Sequence, residues 1–469
     1  MLQLSLDAEH GLPLVDQIVT ALRGRIDDRV LRAGMRLPPI RQLAETHQVS
    51  RFTVVEAYDR LVALGYLQSR RGSGFYVASR PTPTVTEKGA AQVERAIDAA
   101  WLMREISQEG PDRVLAGAGC LPGDWLDEEG MLRNLRLLTR RPDSRLANYG
   151  TPQGYAPLRN QLQVKLGEFG INVQPSQIVL THGATQALDL VARYFLRAGD
   201  CVLVDDPGYW NLFANLRLYG IRLIGVPRTQ DGPDPVAMEA LLSQHKPKLF
   251  FTQSVLHNPT SFNLASANAF RVLQLAEKYN LMIVEDDICS DFYPGSTTRL
   301  AALDQLQRVI YVGSFAKTVS GNLRVGFLAC SPDLAQALAD VKIMSFISSS
   351  EFSERLVYLM LTEGHYRKHI ERMQARLAES TLSTLRLLER IGLSVEAEPK
   401  GGMFVWAQVP GLQDSAALAR RAVREGIVLA PGNVFRPQMQ PSPWLRFNVV
   451  YTNDKRLERF FGKALEGGS

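Results

Sequence analysis

The sequence predicts three parts: a small, mainly helical module with a β-hairpin, a large α/β domain, and a smaller α+β tail. Two observations predict this division. Up to about residue 64 apolar residues recur at helical spacing, whereas beyond about residue 177 short, near-continuous apolar runs alternate with helical stretches. Between these regimes lies "SRPTPTVTEKGAAQ", rich in Pro, Thr and Gly and almost without apolar side chains, which reads as a linker. A chain of 469 residues, 45% hydrophobic and 22% charged, has material for large cores, and this composition excludes disorder on a large scale.

The module is justified first. Leu14, Val15, Ile18, Val19, Leu22, Ile26 and Val30 mark one amphipathic helix over 14–31, stopped at Gly34. Pro39 to Thr46 and Ser50 to Leu64 read as two shorter helices joined by "HQVS", and "YLQS" and "FYVA" as strands around the turn Arg70-Arg71-Gly72-Ser73-Gly74. Three helices and a hairpin match a winged helix-turn-helix over 1–78, in which the third helix lies in the major groove of double-stranded DNA. Ser50, Arg51 and Thr53 then face backbone and base edges. Arg41, Arg70 and Arg71 reach phosphates, and Gly72 and Gly74 let the hairpin tip approach the duplex. The alternative is a solvated basic face on an accessory bundle.

Charge distribution supports the DNA reading more than net charge does. The whole chain carries only +5, but residues 36–80 hold 7 arginines against 3 acids. Four widely spaced cysteines fit a reducing compartment and exclude both a disulfide framework and a Cys-type zinc site. With acids where a signal peptide needs bases, and no apolar window long enough to span a membrane, the expected location is the cytoplasm.

In the large domain the strand-like runs begin at 177, 201, 221, 249, 281, 309 and 325, the pattern of a sheet covered on both faces. Candidate site residues follow the strands, where ligands of α/β sheets bind. Gly183, Ala184 and Thr185 in "THGATQALDL" open a helix whose free N–H groups suit a phosphate, although an ordinary turn reads the same way. Tyr209 offers a flat surface for a planar ring, or is a core tyrosine. Asn258 in "HNPTS" is a neutral donor for a phenolate, or a loop initiator. Three acids in "IVEDDICSDF" need a cationic partner, which a protonated pyridine supplies; a metal is disfavoured because no histidine accompanies them. Lys317 in "SFAKTVSGNLRVGF" gains meaning only from this series.

Two resemblances organise these residues. "GMRLPPIRQLA", "VSRFTVVEAYDRL" and "GYLQSRRGSGFYV", in order over about 13–78, resemble the DNA-binding domain of GntR-type regulators. The remaining motifs, over about 115–465, resemble fold type I pyridoxal 5'-phosphate enzymes, the aspartate-aminotransferase-like group. That resemblance implies an aldimine on Lys317, Asp286 beneath the ring nitrogen, and Tyr209 against the ring. It implies a phosphate held by 183–185, Ser314 and Arg324, with Tyr149 reaching the neighbouring subunit's phosphate, and a substrate carboxylate on Arg446. The chain departs from the family at Ile288 and Cys289, where a tyrosine usually contacts the ring oxygen, and at Ala316, where Ser is common.

The combined arrangement is that of MocR-type regulators. It implies a homodimeric transcription factor sensing pyridoxal phosphate or an amino compound; the competing reading is a working aminotransferase with an accessory DNA reader. The division expected is 1–78 reader, 79–112 linker and 113–465 cofactor domain, with a large lobe over about 145–345 and a small one over about 346–465. His365 and His369 read as a helix-surface pair, and "GAGCLPG" as an entry turn rather than a nucleotide loop.

Overall fold

The computed structural model describes residues 12–28, 30–70, 73–78, 99–108, 112–140 and 147–466, with residues 4, 6 and 110 besides. The chain forms two compact units, Met1–Glu94 and Arg95–Ser469.

In the first unit α1 (Leu14–Asp27), α2 (Ile40–His47) and α3 (Arg51–Ala63) precede a hairpin of β1 (Leu67–Arg70) and β2 (Gly74–Val77). Val54, Ala57, Tyr58 and Leu61 recur three and four apart, so α3 buries one stripe against Ile18 and Leu22 of α1 and Leu43 of α2. Tyr58 donates to the Pro38 carbonyl (2.9 Å), anchoring α3 to the entry of α2. The first helix ends at Asp27, four residues before its expected last residue, Leu31. Asp27 and Asp28 put negative charge at a helix C-terminus, where the dipole opposes it.

In the second unit an eight-stranded sheet has the order β3-β10-β9-β8-β7-β4-β5-β6. Its strands are β3 (Ile178–Thr181), β4 (Cys201–Asp206), β5 (Arg222–Thr229), β6 (Gly232–Pro233), β7 (Leu249–Thr252), β8 (Met282–Asp286), β9 (Val309–Ser314) and β10 (Gly326–Ala329). Strands β5, β4, β7, β8 and β9 are parallel, and β10 runs antiparallel to both neighbours. Alternate residues feed two cores: Leu203, Phe250, Ile283 and Val309 on one face, Val204, Phe251, Val284 and Ile310 on the other. Burial on both faces explains why these strands read as unbroken apolar runs. The parallel strands therefore end along one edge, and that edge carries the candidate site.

The small lobe is a four-stranded sheet of order β11-β12-β14-β13, from β11 (Ser394–Val395), β12 (Phe404–Gln408), β13 (Ala430–Pro431) and β14 (Trp444–Asn448). The helical stretch expected over about 351–390 is two helices, Glu351–Thr362 and Tyr366–Arg390, separated at Gly364, whose φ is +79°.

The expected linker over 79–112 is too long at its C-terminal end. Ala99–Ser107 is a helix, and Leu102 is fully buried in the small-lobe core with Val114. Val114 forms a parallel bridge to Ile427, so the chain from 99 onward is part of the folded domain.

Candidate functional site

Four segments meet at the ends of the parallel strands. Asp286 is the last residue of β8 and is buried. Its Oδ2 accepts from Gln253 Nε2 (2.8 Å), while Oδ1 is buried without a hydrogen-bond partner. Burial pushes this carboxyl up to about 7, against the pull of the Gln253 bond. Gln253 Oε1 in turn accepts the Asn258 backbone N–H (2.8 Å), and Asn258 Oδ1 accepts from Arg446 Nη1 (2.8 Å). Asp286, Gln253, Asn258 and Arg446 thus form one continuous network. Gln253 is itself held from behind, because its carbonyl accepts from Arg228 and its N–H donates to Asp205.

The three acids of "EDD" have separate fates. Glu285 accepts from the backbone of Leu300 and Ala301 at a helix start, and Asp287 pairs with Arg299 (2.7 Å) and accepts from the Tyr311 hydroxyl. Asp286 and Asp287 each keep one buried oxygen without a partner, but the other oxygen of Asp287 is held by Arg299 and Tyr311, whereas that of Asp286 meets only the neutral Gln253 amide. A buried, orphaned acceptor is costly unless a donor arrives.

Lys317 lies three residues beyond β9, and its ammonium donates to the Gly119 carbonyl (2.5 Å). Burial holds its pKa below the ordinary lysine value. A lysine that sheds its proton readily is fitted to form a covalent bond through nitrogen. Arg446 Nη2 donates to the Gly117 carbonyl (2.7 Å), so "GAGCLPG" supplies acceptors to both bases. This turn is an entry to the domain and also a wall of the site.

Arg446 is only 1% exposed, and its guanidinium lies over the rings of Phe404 and Phe435 at 4.2 and 5.0 Å. Burial lowers it to about 10. Tyr209 follows β4, is half-buried, and has its phenol pKa raised by burial and then by the Asp286 carboxylate among its neighbours. Cys289 is buried, and the same cause raises its thiol to about 12. The residue standing near the usual tyrosine position is therefore a neutral, weak donor.

Gly183 opens the helix Gly183–Phe195 directly after β3, with φ +73° and no side-chain cap on its N–H groups. A Cβ on Gly183 would meet Arg324 Nη2 at 2.9 Å, and one on Gly326 would lie 2.6 Å from the Gly183 carbonyl carbon. Glycine at both positions lets the helix start, β10 and the Arg324 guanidinium pack closely, and Arg324 Nη2 donates to the His182 carbonyl (3.3 Å) just before the turn. Ser314 Oγ accepts from the Ala316 N–H (3.1 Å), which fixes the turn before Lys317. Tyr149 is 83% exposed.

These groups fit pyridoxal 5'-phosphate part by part. Asp286 Oδ1 lacks a donor such as a protonated ring nitrogen, and the 183–185 turn with Arg324 offers the donors that a phosphate dianion needs. The Asn258 oxygen is taken by Arg446, which leaves its amide nitrogen, the donor end, for a phenolate.

On the first unit, Ser50 caps α3 by accepting from the Thr53 N–H (3.0 Å), and its hydroxyl lies 2.8 Å from Thr53 Oγ1. Arg51 is exposed beside them. Arg41 pairs with Glu45 (2.8 Å) on the surface of α2, and Arg70 lies over the Tyr76 ring at 4.5 Å. Gly74 has φ +105°, as the hairpin turn requires, and Arg71 and Gly72 lie outside the described residues. Arg36, bridged to Tyr76 and next to Gly74, is a basic group the sequence reading passed over.

A helix-turn-helix reader followed by a domain with this sheet and this lysine defines a class: DNA-binding proteins built on an aminotransferase fold. Comparison with known proteins agrees. The model for bacterial regulatory proteins of the gntR family matches residues 14–77, and that for aminotransferase class I and II matches 123–463. The chain belongs to the aminotransferase class I and II family and carries the gntR-family domain at its N-terminal end, the arrangement of MocR-type regulators. It is 30% identical to a probable rhizopine catabolism regulatory protein, MocR, of Rhizobium meliloti, covering 91% of this chain and 88% of that one. It is 32% identical to a 2-aminoadipate transaminase of Thermus thermophilus, over 81% of this chain and 96% of the relative. Among solved structures, the α-aminoadipate aminotransferase LysN of Thermus thermophilus, complexed with N-(5'-phosphopyridoxyl)-L-leucine, superposes with a TM-score of 0.70 at 29% identity, covering 81% and 97% of the two chains.

Proposed function

We propose that this protein is a cytoplasmic, homodimeric transcription regulator that binds pyridoxal 5'-phosphate at Lys317 and responds to an amino compound bearing a carboxylate. The observation that carries the reading is the buried, unpaired Oδ1 of Asp286, on the same sheet edge as a lysine whose proton is loosely held. When bound, the cofactor supplies an electrophilic carbonyl carbon and an electron-withdrawing ring. The chain's residues do the rest. Asp286 holds a proton on the ring nitrogen, Gln253 holds Asp286, Tyr209 covers one face of the ring, and the 183–185 turn, Ser314 and Arg324 fix the phosphate. Tyr149, exposed in the single chain, is assigned to the partner's phosphate in the dimer, and Arg446 to the effector's carboxylate.

For the signal to reach DNA, the effector must bind one dimer arrangement more tightly than another. Arg41, Ser50, Arg51, Thr53, Arg70, Arg71, Gly72 and Gly74 form the DNA-reading set in this proposal.

The test uses the purified full chain. It should be yellow, and borohydride should fix the cofactor on the peptide containing Lys317, with Lys317→Ala colourless; a yellow Lys317→Ala protein overturns the assignment. DNA from upstream of its own gene should be retained selectively and less so as salt rises. The transaminase relative favours a second reading, a working aminotransferase. Steady amino transfer to a keto acid at ordinary enzyme rates, about 1–1000 per second, would establish it.

A further inference from the structure

The pair His365 and His369 reads from sequence as a surface feature, but His369 is buried. Its Nε2 lies 3.2 Å from the carbonyl oxygen of Thr318, the residue after Lys317. A carbonyl can only accept, so His369 presents a protonated Nε2 to it. One turn earlier on the same helix, the Tyr366 hydroxyl lies 3.0 Å from Thr318 Oγ1 and 2.7 Å from Asp291 Oδ2. The single hydrogen of the phenol thus faces two acceptors, the Thr318 hydroxyl oxygen and the Asp291 carboxylate. Asp291 is fixed by Lys165 (2.5 Å), and it sits in the short turn Ser290–Phe292 that follows Asp286. Thr318 is 1% exposed, and both of its polar oxygens are engaged by this one helix.

The helix that makes these contacts, Tyr366–Arg390, places Met373, Leu377, Leu387 and Leu388 in the small-lobe core, the core that also surrounds β12 and β14. Its first turn therefore grips the lysine loop while its body belongs to the lobe that carries Arg446. A cleft of about 550 Å³, lined by Lys165, Asp291, Tyr366, Arg367 and Gln374 among others, lies beside the grip.

We infer that Tyr366 and His369 are positioning residues for Lys317: through Thr318 they tie the cofactor lysine to the small lobe, so that displacement of that lobe reaches the lysine. The inference rests on the cofactor reading above for its meaning. Its geometry is tested separately, in cofactor-free as well as loaded protein.

In cofactor-free protein, competitive acetylation read by mass spectrometry reports the reactivity of Lys317 against Lys400 as internal standard. Tyr366→Phe and the isosteric Thr318→Val each remove the hydroxyl contact, and each should change the relative reactivity of Lys317 about tenfold, the effect of roughly one hydrogen bond. Thr318→Ser, which keeps the hydroxyl, should stay within about twofold. In loaded protein the same two variants should release pyridoxal phosphate faster by a similar factor, and the double variant no faster than either single one, because both break the same contact. If Lys317 reactivity and cofactor release stay within twofold of wild type in both variants, the grip is only structural and the inference is overturned, whatever the melting temperature does. Should Tyr366→Phe fail to fold, Thr318→Val with its serine control decides alone. A wild-type chain that borohydride never labels would defeat the cofactor reading, while the acetylation ratios still decide the grip.

Discussion

The DNA-reading face and the cofactor edge hold their charged groups under opposite conditions. On the first unit Arg41 and Glu45 are 75% and 62% exposed and pair in water, where such a bridge contributes about 0–1 kcal/mol. At the sheet edge Asp286 and Arg446 are 6% and 1% exposed, and each keeps a buried atom without a partner. Water can replace a lost contact at the first place and cannot at the second. The reader therefore works by adding many small, salt-sensitive terms, and the cofactor edge by a few large ones.

That contrast orders the expected effects. Asp286→Ala removes the partner of a buried cation and should weaken pyridoxal phosphate binding by about 3–5 kcal/mol, measured by cofactor titration, while DNA affinity stays within about twofold. A comparable fall in DNA affinity would break the separation between the two regions. Arg446→Ala leaves the Asn258 and Gly117 oxygens unsatisfied and should abolish the spectral response to a carboxylate-bearing amine while the colour persists; an unchanged response would move the effector elsewhere.

Arg51→Ala should cost about 1–3 kcal/mol of specific DNA binding in a gel-shift titration without bleaching the protein. Intact selectivity would mean that α3 does not enter the groove as placed. Arg41→Ala, whose charge is already shared with Glu45, should lower affinity slightly for all sequences and reduce the salt slope by about one.

A further effect concerns pH. Burial raises the Asp286 carboxyl of the cofactor-free chain from its ordinary value to about 7, so the folded state takes up the proton more readily than the unfolded one. The stability this proton confers is present at low pH and is lost as pH rises through the ordinary carboxylate range to about 7. Melting temperatures of cofactor-free Asp286→Asn should therefore gain on wild type between about pH 4 and 7, and parallel curves would contradict the raised value.

Much of this was legible in the sequence because each motif occupies one loop after one strand. Lys317 and the 183–185 turn stand out through the series of strand-end motifs, while the choice of Asp286 among the three acids rests on the family resemblance. Gln253 could not: it follows an ordinary apolar strand, and its role arises only when β7 and β8 lie side by side. His369 carried a signal that was passed over, since Ile370, Met373 and Leu377 continue the buried stripe on which it lies. The linker end was missed similarly: Trp101, Leu102 and Ile106 have helical spacing, but a few apolar residues beside a polar stretch do not reveal the core that receives them.

The bond from Arg446 to the Gly117 carbonyl joins residues 329 positions apart. During synthesis the first of them leaves the ribosome long before the second is made, and at about 5–20 residues per second that interval lasts on the order of tens of seconds. A nascent or C-terminally truncated chain lacks Arg446 and β14, so it has a reader but no closed pocket. For the regulator proposed above, proteolytic loss of the last strand would uncouple the reader from its effector.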